Sequence, residues 1–148
     1  MITLSIFIIM AGFIIGLGAV TVIDLHGFLG RTSTYWTEAT TRTHKVTKPL
    51  IWIGTLLVLV GGILFYQNYS FGLTQKIHAV SIIIMILNGV FLSFSVSPFL
   101  IKREVEGKSS ELLPSSWQNK IVFSFIISFI LWWGNLALFI SFLSSHIA

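Results

Sequence analysis

Cysteine is missing from all 148 residues. That excludes disulfides, iron–sulfur clusters and thiol catalysis. Acidic residues are scarce, with five Asp and Glu against nine Lys and Arg, and charged residues make up only 9% of the chain. A soluble globular domain normally carries far more. Catalytic signatures are missing as well. There is no HExxH, no glycine loop leading to a phosphate-binding lysine, and no Ser/His/Asp order of the kind a hydrolase needs. No lysine sits in the middle of an apolar run, so a retinal Schiff base has no anchor. The chain reads as non-catalytic.

What is present is apolar. Hydrophobic residues make up 55% of the sequence and gather in four runs, 2–23, 50–66, 77–101 and 121–147. A bilayer core of about 30 Å takes roughly 20 helical residues to cross. Period-2 alternation is absent, which argues against barrel strands. In lipid each backbone amide must be paired within the protein, so the runs are expected to be helices. The expected fold is all-α: one integral membrane domain over 1–148, with four transmembrane helices as two hairpins. The spans are placed at about 2–26, 46–66, 76–101 and 118–146. The first run lacks a basic leader and a small-x-small cleavage site, and reads as a retained span rather than a signal peptide. The two halves share a layout of helix, basic loop with a Trp, and return helix.

Charge sets the expected orientation. Arg31, Arg42, Lys45 and Lys48 lie between runs one and two, and Lys102, Arg103, Lys108 and Lys120 between runs three and four. Only Lys76 lies in the remaining loop. Lys and Arg are retained on the cytoplasmic side. Both termini are therefore expected on the non-cytoplasmic side of a cytoplasmic-type membrane. The same placement accounts for the pI near 9.7, so nucleic acid is not an expected partner. The expected partners are the lipid bilayer and further copies of the chain or another membrane protein.

The first basic loop holds more than a turn. Ser33 is a candidate N-cap for a helix running toward Thr47. Tyr35, Trp36, Ala39, Thr43 and Val46 share one side of that helix, and Glu38, Thr41, His44 and Lys45 the other. This predicts an interfacial amphipathic helix ahead of the second span, with His44 turned to water and Pro49 kinking the chain or opening the span. The second basic loop, 102–119, is the candidate for a partner contact or disorder.

Several polar groups fall inside or beside the spans. Gly12 and Gly16 form a small-xxx-small pair in the first span, and Gly61 and Gly62 lie deep in the second. Such glycines let helix backbones approach, and packing of spans one and two on each other is expected before a dimer face. Asp24 stands at the inner end of span one, near Thr21. An ionisable residue there is a functional candidate by default, with an ion pair to Arg31 or Lys48 as the plain alternative. Asn88 and Asn135 are mid-span and are expected to bond each other. With Ser93, Ser97 and Ser128 they outline a polar strip that could serve an ion. His26 and His78 are candidate haem or proton-relay residues, because a two-haem bundle uses bis-histidine ligation. No metal site is expected.

The leading expectation is a small membrane subunit or accessory protein, non-catalytic and without a cofactor, that acts by helix packing. The alternative is an ion or small-solute conduit through Asp24 and the Asn/Ser strip. A further alternative is a b-type haem electron carrier.

Overall fold

The computed structural model describes residues 1–147, the last of them by its backbone alone. Four helices make up the protein, and each is long and apolar enough to cross a membrane. They are α1 (Ile2–Leu29), α2 (Thr34–Tyr66), α3 (Leu73–Val105) and α4 (Ser115–Ile147). The all-α, multi-pass membrane architecture follows from the four apolar runs. At 1.5 Å per residue, α2 and α3 are each about 50 Å long, so both outreach the hydrocarbon core. Loops 30–33 and 106–114 lie at one end of the bundle, here called the basic end. The N-terminus, the end of α4 and loop 67–72 lie at the other.

Helices α1 and α2 are joined along a glycine seam. A Cβ placed on Gly54 would lie 2.4 Å from the Gly16 Cα, and one on Gly12 would lie 2.7 Å from the Val58 nitrogen. Gly61 packs on Ile9 in the same way, and Gly16 also receives the ring of Trp132 from α4. The expected packing between spans one and two is therefore formed. Its partners on α2 are Gly54, Val58 and Gly61. Gly62 is the correction: a Cβ there meets nothing within 4 Å, because the residue borders a cavity.

Polarity runs from inside out. Phe7, Ile14, Ile63, Leu87 and Phe123 are exposed, whereas Thr37, Thr40, Thr41, Thr47, Thr55, Ser124 and Asn135 are buried. Most of the threonine hydroxyls are satisfied within their own helix. Thr40 donates to the Trp36 carbonyl at 2.7 Å and Thr55 to the Ile51 carbonyl at 2.8 Å, as hydroxyls in membrane helices commonly do.

The amphipathic segment before the second span forms, and it differs from expectation in two ways. It continues through Pro49 into the second span as one helix, α2, rather than ending before it. Its apolar side faces outward, with Tyr35 and Val46 exposed at 70% and 63%, but part of its polar side turns into the bundle instead of to water: Thr41 is buried, while Lys45 stays exposed. The reason is the solvent. Around a bundle in lipid the apolar side is the outer one. Glu38 pairs with Arg42, one turn further along the same helix. The second basic loop is held in place. Arg103 donates to the carbonyls of Lys108 and Glu111, both at 3.1 Å. Phe99 stacks on Trp117 at 4.0 Å, with Lys120 over the Trp117 ring at 4.8 Å.

Near its basic end α3 contains one π-helical turn, Leu92–Val96. There the Ser97 N–H donates to the Leu92 carbonyl, five residues back. In that register the Ser93 carbonyl would look to residue 98, which is proline and has no N–H. Helix α2 fills the gap. Lys48 Nζ donates to the Ser93 carbonyl at 3.4 Å, and the Trp52 indole N–H donates to Ser93 Oγ at 3.0 Å.

Candidate functional site

The polar stripe of α2 and the end of α1 enclose a cavity of about 70 Å³ in the basic half of the bundle. Asp24, Thr40, His44, Lys48, Ser93 and Ser124 are among its walls. A second cavity, of about 40 Å³, shares Asp24, Trp52 and Gly89 with it and reaches Thr55, Met85, Ser128 and Trp132. Asp24 thus borders both spaces. A cavity holds water once it offers roughly 10–15 Å³ and two to four polar partners; here a few polar side chains interrupt otherwise apolar walls.

Two groups in these walls are not satisfied by the protein. Asp24 Oδ2 and His44 Nε2 are both buried without a hydrogen-bond partner. The expected ion pair from Asp24 to Arg31 or Lys48 does not form among the described residues. Lys48 is turned to the Ser93 carbonyl, and Arg31 lies over the Phe28 ring, 5.5 Å from its centroid. His44, expected in water, belongs to the cavity wall instead. Helix α2 presents Thr40, His44 and Lys48 at spacings of four, one above the other on a single face. That stripe is the sequence signal for the site, and it faces the cavity rather than water.

Asn88 and Asn135 do not bond each other. Asn88 donates to the Ser124 carbonyl at 3.2 Å and to Ser128 Oγ at 2.9 Å, and Ser124 Oγ donates back to Asn88 Oδ1 at 2.7 Å. Because α3 and α4 run antiparallel, Asn88 lies level with these serines while Asn135 lies level with His78 and Met85. Asn135 Nδ2 donates to the Leu131 carbonyl at 2.7 Å and to Met85 Sδ at 3.4 Å. Its Oδ1 is buried without a partner. Thr21 donates to its own Leu17 carbonyl and is not among the residues that wall either cavity. Ser97 is buried beside the π turn, also outside those walls.

The histidines do not come together. His26 lies at the basic end of α1, 5.0 Å from the Trp36 ring. His78 lies at the other end of the bundle and has both ring nitrogens engaged. The Tyr66 hydroxyl meets Nδ1 at 2.6 Å, and Nε2 meets the Asn135 carbonyl at 3.2 Å. A carbonyl can only accept, so Nε2 carries the proton and Tyr66 donates to Nδ1. Among the described residues no three His, Asp or Glu side chains gather as a metal-holding group. Compared with protein-family models, curated proteins and solved structures, the chain matches none of them.

Proposed function

We propose that the protein is a proton-conducting membrane unit whose loading site is Asp24, with the basic end on the cytoplasmic side and both termini across the membrane. The observation that carries this reading is the Asp24 carboxylate, buried at Oδ2 without a donor and bordering both inner cavities. Intramembrane ionisable groups of this sort mark ion and proton pathways. His44 lines the same space with an unsatisfied nitrogen, and histidine is the side chain best suited to passing a proton near neutral pH. Lys48 also borders the cavity. Its charge opposes a metal cation as much as Asp24 attracts one, whereas a proton moves along hydrogen bonds. Beyond Asp24 the smaller cavity leads to Ser128 and Met85, and the Asn135–His78–Tyr66 chain continues toward the far end.

This reading places the conduit ahead of the accessory-subunit reading. Gly12 and Gly16, the glycines that would have served association, are occupied within the chain by α2 and Trp132. Neither a catalytic role nor a cofactor is part of the proposal. The test is proton flux in proteoliposomes under an imposed potential. Wild-type protein should acidify or alkalinise the lumen faster than empty vesicles, and Asp24→Asn should abolish the difference. Absence of wild-type flux would sink the proposal.

A further inference from the structure

The charges at the basic end do not cancel evenly. Glu38 pairs with Arg42, Glu104 with Lys45, Glu106 with Lys102 and Lys108, and Glu111 with Arg103. The fifth acidic residue, Asp24, borders the inner cavities. Among the described residues, two cations at this end are left with neither an acidic partner nor a side-chain hydrogen bond. They are Arg31 and Lys120, and both are exposed. Each is held over an aromatic ring, Arg31 over Phe28 at 5.5 Å and Lys120 over Trp117 at 4.8 Å.

The two cations belong to adjoining helix ends. Arg31 lies just beyond α1, and Lys120 lies in the second turn of α4. The Gln118 side chain ties these ends together by donating to the Arg31 carbonyl at 3.4 Å. Below that tie Gly27 faces Ile121, whose side chain would lie 3.6 Å from a Cβ on the glycine. An aromatic ladder descends from the same junction. Phe28 meets Phe125 at 6.3 Å, Phe125 meets Phe129 at 6.0 Å, and Phe129 meets Trp133 at 6.1 Å. The three α4 rings recur every four residues, so they share one side of the helix. Phe28, Phe129 and Trp133 are all close to half exposed. From Phe125 to Trp133 the ladder covers about 12 Å along the helix, away from the basic end.

We infer that this face binds a membrane phospholipid with an anionic headgroup. The headgroup lies between Arg31 and Lys120, and one acyl chain lies along the ladder. Charge selects the occupant. A zwitterionic lipid covers the ladder equally well but brings its own ammonium up to two unpaired cations. An anionic headgroup has no such ammonium, and its phosphate takes charge-assisted hydrogen bonds from the guanidinium. Basic clusters beside membrane helices favour anionic lipid for this reason. Free phosphate would meet the same cations but gains nothing from the rings. The inference does not depend on proton conduction through Asp24.

The chain has no cysteine, so Asn119→Cys places a single fluorophore beside the site. The probes are phosphatidylglycerol and phosphatidylcholine with a nitroxide near the top of one acyl chain, each diluted into phosphatidylcholine vesicles that hold the full chain. Quenching should show about three- to tenfold higher affinity for phosphatidylglycerol, falling as salt rises. Arg31→Gln combined with Lys120→Gln should erase that preference while phosphatidylcholine still quenches. Lys102→Gln removes a cation from the same end but outside the site, and should leave the preference intact. Equal affinity for the two probes would overturn the inference. So would a preference that survives the double substitution, or one lost equally in Lys102→Gln, which would mark the net charge of the whole end. Inorganic phosphate at fixed ionic strength should not relieve the quenching, and relief would point to a soluble anion instead. If the double variant does not fold, the two single variants decide, and full preference in both overturns the site.

Discussion

Lys48 on α2 donates its ammonium to the backbone carbonyl of Ser93 on α3, across 3.4 Å. The carbonyl is free because the π turn shifts its expected donor to Pro98. A cationic side chain thus stands in for a missing amide. Lys48→Met should leave that carbonyl unpaired and cost about 1–3 kcal/mol. In a Pro98→Ala background, where an N–H is restored, the same change should cost much less. Unfolding midpoints of the four proteins in one detergent measure the coupling, and additive losses would show that Lys48 and Pro98 act separately.

A second cycle concerns Asn88. Its amide exchanges hydrogen bonds with Ser124 and Ser128. Asn88→Leu and Ser124→Ala should each destabilise the bundle by about 0.6–2 kcal/mol, and together by clearly less than the sum. Asn88→Leu and Asn135→Leu should add to within about 0.5 kcal/mol, because they share no partner. Strong coupling between the two asparagines would contradict the register of α3 on α4.

Two glycines on one helix should behave oppositely. Gly54→Ala drives a methyl into the Gly16 backbone, and relief requires α1 and α2 to separate, at a cost of about 1–3 kcal/mol or more. Gly62→Ala meets nothing and should leave stability unchanged or slightly raised. Thermal inactivation of the two variants side by side checks the seam.

At the basic end, order in loop 106–114 depends on Arg103, which holds the carbonyls of Lys108 and Glu111. Arg103→Ala should make this loop the first site of limited proteolysis. Lys108→Ala should not. The hydrogen bond from Lys108 holds the Glu106 carboxyl below its usual range, yet that pair is exposed and contributes little to stability. Equal cleavage of both variants would remove Arg103 from this role.

The sequence was a good guide to the helices and a poor guide to their facing. Four apolar runs and a glycine pair are direct physical statements about lipid, and the helices and the α1–α2 seam follow from them. His44 and Asn135 show where legibility ends. A polar stripe on an interfacial helix usually faces water, which places His44 there; α2 instead continues into the bundle and the stripe turns inward. Asn88 and Asn135 looked like partners because both are mid-span amides. Their relative depth depends on how α3 and α4 are offset, and nothing in composition or spacing specifies that offset.

The glycine seam also means that α1 and α3 are retained by different forces. Among the described residues, the side chains of α1 form no hydrogen bond to another helix. Backbones at near-minimal separation and the Trp132 ring hold it in place. Helix α3 is tethered on both flanks by hydrogen bonds, to α2 through Ser93 and His78 and to α4 through Asn88. Close packing fails when volume is added, and hydrogen bonds fail when a competitor for them is added. A hydrogen-bonding cosolvent therefore attacks the two sides of α3 while sparing the α1–α2 pair, and a bulky substitution in the seam does the reverse. The bundle has two separate modes of coming apart.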